Sequence, residues 1–334
     1  MHINLMNLTG IHHLTAIASG PARNAAFYTE VLGLRMVKKT VNFDDPGTYH
    51  LYYGDHNGTP GTILTFFPWP DARRGTPGVG QITAFAFQAP RGSLTFWRNR
   101  LTSNGFAIAS EGARFGEKFL AIRDPDGFLI ELIETVDLAP ISPVGAARIP
   151  AEHELRGFHG ATLSLEAQER TGVVLTKLMG AVSEKSEDNR FRYLLGDGPG
   201  RCARIDLLCL PAGRWGAGGT GIVHHIAWRT PDDASQLAAR SELVSAGFNV
   251  SPVMDRIYFH SIYYREPGGV LFEIATDPPG FSVDESPEDL GSKLMLPPWL
   301  EGHRSFLEAT LPPLTPSRAT VRQSPDKRGS EADV

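Results

Sequence analysis

Short runs of apolar and β-branched residues recur along the chain, separated by amphipathic stretches that end in glycine. The first run is GIHHLTAIA (10–18). The stretch RNAAFYTEVLG follows, with Phe27, Val31 and Leu32 on one helical face and Gly33 as a helix cap. Then come LRMVKKTVNF, YHLYYGD and GTILTFFPW, each reading as a strand. The series returns as GQITAFAFQAP, helix SLTFWRNRLTSNGF, EGARFG, KFLAIRDPDG and FLIELIET. It returns again as GFHGATLSL, helix ERTGVVLTKLMG, AVSEKSED, FRYLLGD and RIDLLCLP. The last copy is GIVHHIAWRTP, helix DDASQLAARSELVSAGF, NVSPVMDRIYF, HSIYYREPGG and VLFEIATD.

The glycines that close the helices, Gly33, Gly105, Gly180 and Gly247, lie 72, 75 and 67 residues apart. Four βαβββ modules at so even a period predict an α+β fold. Each module buries one sheet face under its helix. Two modules side by side would close an open, eight-stranded, barrel-like cup around a pocket, so four make two cups. Residues 8–135 hold the first pair (8–78 and 79–135) and 157–278 the second (157–212 and 220–278). A Pro- and Ala-rich linker, 136–156, joins them. Ser93 and Asp232 are placed to cap the second and fourth helices. Residues 279–314 form a C-terminal docking segment with a helix in PPWLEGHRSFLEATLPPL, and the polar tail 315–334 reads as disordered.

With 334 residues, 41% hydrophobic and 21% charged, the composition is that of a globular protein with a sizeable core. A net charge of -5 and the lack of a basic run before the tail argue against a nucleic-acid binder. Two cysteines, Cys202 and Cys209, exclude a disulfide framework and a zinc knuckle. No leader-like segment opens the chain, and no apolar stretch approaches the ~20 residues of a membrane span. The expectation is a soluble cytoplasmic protein without membrane or nucleic-acid partners; a homo-oligomer is left open.

The candidate chemistry lies in the first strands of modules one and four, which carry His12-His13 and His224-His225. Strand neighbours point to opposite faces, so at most one of each pair looks straight into the cup. The last strand of module four follows the turn at Pro267 and contains Glu273. Glu131 has the same offset in module two, Phe66 stands there in module one, and Ile205 in module three, with Asp206 one further on. Two histidines and one carboxylate on neighbouring strands make a facial triad suited to Fe(II) and oxygen chemistry. His50 and His260 lie on strands and could line the pocket, with packing or rim exposure the simpler reading. Asp124-Pro-Asp-Gly reads as a β-turn. Gly196-Asp-Gly-Pro-Gly reads as a hairpin, and the cluster Phe66, Phe67 and Trp69 as pocket wall or core.

Together, these modules and the motifs GIHHLTAIA, LGLRMVKKTVNFDDPGTYHLYYGD, GTPGTILTFFPWP and YREPGGVLFEIATD resemble the vicinal oxygen chelate superfamily. Within it they resemble ring-cleaving dioxygenases of the hydroquinone 1,2-dioxygenase type, over roughly residues 8–314. The resemblance implies an Fe(II) enzyme, with Mn(II) an alternative, that opens a para-dihydroxylated aromatic ring with O2. It implies His13, His225 and Glu273 as metal ligands. It implies supporting roles for His12, Thr15, His224, Arg256 and Tyr263, with His224 or His12 as proton donor and Tyr263 and Arg256 facing developing oxyanions.

The residues leave the cup pairing open. If modules one and four pair, the triad is His13, His225 and Glu273; if three and four pair, His159 could replace His13. Aligning GFHG on GIHH sets His159 opposite His12 and Gly160 opposite His13, which favours one with four. The second cup would then be metal-free, with Thr83 and Gly160 at the ligand position and Glu131 the one matched type. A rival on the same fold is a glyoxalase I-like isomerase. It needs four protein ligands, and Phe66 occupies the place of its acid in module one. A metal-free protein that binds a toxic aromatic is the other alternative.

Overall fold

A computed structural model describes residues 6–140, 142–145, 149–196 and 202–314. All four βαβββ modules are present. Module one runs β1 (Ile11–Ala18), α1 (Pro21–Ala26), β2 (Arg35–Asn42), β3 (Asp45–Gly54) and β4 (Ile63–Pro68). Module two runs β5 (Gln81–Pro90), α2 (Leu94–Ser103), β6 (Ile108–Arg114), β7 (Glu117–Arg123) and β8 (Leu129–Thr135). Module three runs β9 (Phe158–Leu165), α3 (Glu169–Val173), β10 (Val182–Glu187), β11 (Arg190–Leu195) and β12 (Ala203–Cys209). Module four runs β13 (Ile222–Thr230), α4 (Asp233–Ser245), β14 (Met254–Asp255), β15 (Phe259–Arg265) and β16 (Leu271–Pro279).

The strands form two eight-stranded sheets. One has the order β14-β15-β16-β13-β1-β4-β3-β2, the other β10-β11-β12-β9-β5-β8-β7-β6. Module one therefore shares a sheet with module four, and two with three. Grouping the modules in chain order, 8–135 with 157–278 as separate pairs, does not describe the sheets: each half gives one module to each. Two connecting loops allow this crossing. Arg74 bridges to Thr220, Thr76 to Ala217 and Val79 to Trp215, so the strand-to-strand connections lie against each other between the sheets. Backbones approach closely there; a Cβ on Gly78 would stand 2.4 Å from the Arg214 carbonyl.

Several local expectations need correction. α1 and α3 each pass into a π-helical turn, Phe27–Val31 and Val174–Leu178, which simple helical spacing does not reveal. NVSPVMDRIYF yields only the two residues of β14, because Pro252 supplies no N–H and Ile257 takes a positive φ of 69°. Asp232 caps α4, accepting from the Ser235 N–H at 2.7 Å. Ser93 stands before α2 but does not cap it; its hydroxyl meets the Glu152 carbonyl and His153 instead. The linker is packed rather than free: Trp97 donates to the His153 carbonyl, and Ile149 lies against Gly33. The expected hairpin at 197–200 and the tail 315–334 lie outside the described residues.

The C-terminal segment closes the one-four cup. It leaves β16, crosses the open side of the sheet and meets the outer strand β2, where Met295 donates to the Lys39 carbonyl. Phe281 stacks on Tyr258 and meets Tyr52 edge to face inside the cup. Asp284 and Glu285 reach Lys38, whose side chain is fully buried. A helix, α5 (Arg304–Thr310), ends the described chain after a short 3-10 stretch. Among the described residues no helix is long and apolar enough to cross a membrane.

Candidate metal centre

β1 and β13 lie side by side, antiparallel, at the centre of their sheet. Their ladder is interrupted twice. Ile11 pairs with Trp228 and His13 with Ala227, which leaves His12 as an extra residue. Thr15 pairs with His225 and Ala16 with Val223, which leaves His224 as another. Each first histidine thus sits on a β-bulge. A bulge breaks strict alternation, and this lets both rings of a pair come together. His12 and His13 meet Nδ1 to Nδ1 at 2.9 Å, and His224 and His225 at 2.8 Å.

The second rings meet each other and Glu273. The Nε2 atoms of His13 and His225 are 3.4 Å apart; Glu273 Oε2 lies 3.4 Å from the first and 2.9 Å from the second. All three side chains are buried. Although His225 Nε2 is near, Oε2 receives no hydrogen bond, while Oε1 accepts one from Ser261. Burial alone would raise the Glu273 pKa, but the two imidazoles hold it well below the usual carboxylate range. Burial lowers His225 and, more strongly, His12. A buried anionic oxygen without a donor, facing two imidazole nitrogens, is the donor set that a divalent cation would complete. Among the described residues these three are the one such group.

The other expected residues fall around it unevenly. Thr15 follows His13 on the cup face and bonds Thr65 Oγ1 at 2.9 Å. Tyr263 lies beside His225, ring centroids 5.7 Å apart, and Arg256 sits over the Tyr263 ring at 5.7 Å. Arg256 also reaches Asp44, so Asp44 does more than form a turn. His12 is buried against Phe259, whereas His224 is exposed and approaches Phe67. The cup is therefore sealed on the His12 side and accessible on the His224 side. His260 binds Asp233 on α4, on the outer side of the sheet, and does not line the cup. His50 does line it, between Tyr52 and Phe67. The pocket-lining option for His50 is thus the one that holds, while the sequence pattern alone does not mark Ser261, Tyr52 and Thr65 as site residues; their signal is the period-two placement of polar side chains along β3, β4 and β15.

Strand register corrects three aligned positions. Glu273 pairs with Ala227, two residues beyond His225; by the same count Thr15 pairs with Thr65, and Thr162 with Asp206. The acid's place in module one is therefore held by Thr65, not Phe66, which packs in the core with Tyr28 and Phe128. In module three it is held by Asp206, not Ile205. In the second sheet the bulges fall on Thr83 and His159, so Ala84 and Gly160 stand where His13 and His225 stand, and Thr83 corresponds to His12.

This second cup is filled by ion pairs. Arg114 holds Glu131 through two bonds of 2.8 and 2.9 Å. Arg192 joins Asp206 to Glu117, and His159 contacts Glu117 at 2.9 Å. Burial would raise the Glu117 pKa, but His159, Arg204 and Arg192 hold it down to about 2.

Paired βαβββ modules that close a cup around two histidines and a glutamate define a class of metal-site protein. The chain belongs to the Glyoxalase/Bleomycin resistance protein/Dioxygenase superfamily, whose sequence model matches residues 10–132 and 162–274. Within that superfamily its full-length relatives are named for aromatic chemistry. It is 45% identical over 304 residues to MhqO of Bacillus subtilis (strain 168), a ring-cleaving dioxygenase by name, covering 91% of this chain and 96% of that one. It is 36% identical over 309 residues to the chlorohydroquinone/hydroquinone 1,2-dioxygenase of Sphingobium indicum, covering 90% and 95%. A crystal structure of a Bacillus subtilis protein, a dioxygenase by name, superposes with a TM-score of 0.87 at 44% identity, covering 96% of this chain and all of that one.

Proposed function

We propose that the protein is an Fe(II)-dependent, extradiol-type dioxygenase that cleaves a hydroquinone-type ring. The observation that carries this reading is the convergence of His13, His225 and Glu273, with Glu273 Oε2 buried and undonated. These three residues would hold the metal. In each pair the first histidine fixes the second: His13 and His225 donate through Nδ1 to their neighbours, which leaves each Nε2 lone pair for a ligand bond. When bound, the metal supplies Lewis acidity and open coordination positions at which an aromatic hydroxyl and O2 can meet; Fe(II) suits the ligand set and Mn(II) also accepts it.

The remaining residues orient and protonate. Solvent reaches His224, and although burial and the neighbouring His225 pull its pKa down to about 3, a negatively charged oxygen beside it would favour its protonated form, so it can pass a proton to the ring, a role closed to His12 behind Phe259. Arg256 and Tyr263 offer donors to oxygen atoms that gain charge. Phe67, half-buried beside His50 and Trp69, supplies flat apolar surface for a ring. The isomerase alternative is disfavoured because Thr65, not a carboxylate, holds the fourth ligand's place. The test is anaerobic loading with Fe(II) followed by oxygen-electrode assays with hydroquinone, methylhydroquinone, chlorohydroquinone and catechol. Oxygen uptake with the first three is expected; a loaded protein that consumes no oxygen with any of them would overturn the reading.

A further inference from the structure

Opposite Glu273, across the cup, four side chains form a continuous line. Tyr52 Oη lies 2.8 Å from His50 Nδ1; His50 Nε2 lies 2.9 Å from Thr65 Oγ1; Thr65 Oγ1 lies 2.9 Å from Thr15 Oγ1. Strand pairing makes this line the counterpart of the metal side. Tyr52 pairs with Thr65 as Tyr263 pairs with Glu273, and His50 bonds Thr65 as Ser261 bonds Glu273. Where module four has a carboxylate, module one has a hydroxyl that passes a hydrogen bond onward.

The direction of that line follows from counting protons. Tyr52 is 1% exposed, and its hydroxyl has His50 as its one bonding partner among the described residues. In either direction one end of the line keeps a proton without an acceptor: accepting from His50 would leave it on Tyr52, closed in by the Tyr258 and Phe281 rings, which is costly, whereas donating to His50 leaves it on Thr15, on the cup face, where a bound oxygen can accept it. Tyr52 therefore donates to Nδ1. Burial pushes the Tyr52 pKa well up and the His50 pKa well down, so the phenol stays protonated and the imidazole neutral. A neutral imidazole that accepts at Nδ1 carries its proton on Nε2 and donates to Thr65. Thr65, accepting there, donates to Thr15. Thr15 is 1% exposed, accepts from Thr65, and has no acceptor for its own proton among the described residues.

We propose that Tyr52, His50 and Thr65 form a one-way hydrogen-bond relay that holds Thr15 as a donor into the cup, toward an oxygen atom that carries negative charge. Tyr52, His50 and Thr65 are positioning residues; Thr15 alone touches the bound oxygen. This rests on the dioxygenase reading for the identity of that oxygen, a phenolate or an oxygen derived from O2, but not for the direction of the relay.

Two measurements separate the two. Long-range proton–nitrogen spectra of the full chain loaded with diamagnetic Zn(II) report which nitrogen of His50 bears hydrogen. The Nε2–H form is expected, with loss of that single form in Tyr52→Phe. An Nδ1–H form in the wild type would reverse the line and overturn the proposal. In the Fe(II)-loaded enzyme, Thr65→Val should keep its iron and lower kcat about tenfold with KM changed less than about twofold, and Thr65→Ser should restore kcat, as expected of one oriented hydrogen bond. An unchanged kcat in Thr65→Val would overturn it. If the wild type consumes no oxygen, the dioxygenase reading fails, and the His50 spectra still decide the relay.

Discussion

At the scale of single residues, the two carboxylates at equivalent positions make opposite predictions. Glu273 faces two imidazoles, whereas Glu131 is held by Arg114. Glu273→Gln should therefore lose most of its bound iron, because a neutral amide offsets none of the metal's charge. Glu131→Gln should keep it. Iron measured on both purified variants checks the pair, and wild-type iron in Glu273→Gln would remove it from the site. The histidines divide in the same way. His225→Ala should be purified metal-poor, while His224→Ala should keep iron and turn over about 10²–10⁴-fold more slowly, the range for a lost acid–base group. Metal content and oxygen uptake on the two variants decide it. That these residues are candidates could be read from the paired HH motifs and one glutamate. That both rings of a pair meet could not, because strict alternation forbids it and the bulges at His12 and His224 depend on pairing between strands 200 residues apart.

At the scale of elements, helices and turns are tied across the sheets. Tyr28 of the first helical segment donates to Asp124 in the turn before β8, and Thr171 of α3 donates to Glu266 in the turn before β16. In both cases a turn acid is bound by the helix of the preceding module, which belongs to the other sheet. Asp124 also accepts from the backbone of Asp126 and Phe128. Burial, with Asp126 nearby, pushes its pKa up to about 7. The folded state therefore binds this proton more tightly than the unfolded one. Its contribution should fall as pH rises from about 4 to about 7 and level off above, by at most on the order of 4 kcal/mol. Denaturant midpoints measured at pH 5 and 8 should show this loss in the wild type and a smaller one in Asp124→Asn; equal losses would rule Asp124 out as its source. The four modules were legible because glycine caps and apolar runs repeat locally. The π-helical turns, the two-residue β14 and the placing of Thr65 over Phe66 were not, since each is settled by packing and register rather than local pattern.

For the whole molecule, the C-terminal segment is part of the cup. Lys38 is buried between Asp284, Glu285 and the Tyr258 ring. Removing both acids leaves a buried cation without a partner, whereas removing the lysine leaves acids nearer the surface. Asp284→Ala with Glu285→Ala should cost about 3–5 kcal/mol, and Lys38→Met distinctly less. Chemical denaturation of the two variants checks the order, and a larger loss in Lys38→Met would contradict it.

The pairing of module one with module four also dictates when the parts can come together during synthesis. At the centre of the second sheet β5 ends at Pro90 and β9 begins at Phe158, some seventy residues on, but β1 finds β13 only after some two hundred further residues have been made. Contacts of such long sequence separation form slowly. The inner modules can settle while the outer ones are still apart, and β1 must wait with one edge open until the ribosome has released β13. The pocket is consequently the last compartment to exist. A nascent chain that stops short of β16 brings no Glu273 to it, so the proposed metal site cannot be complete before that strand has been made.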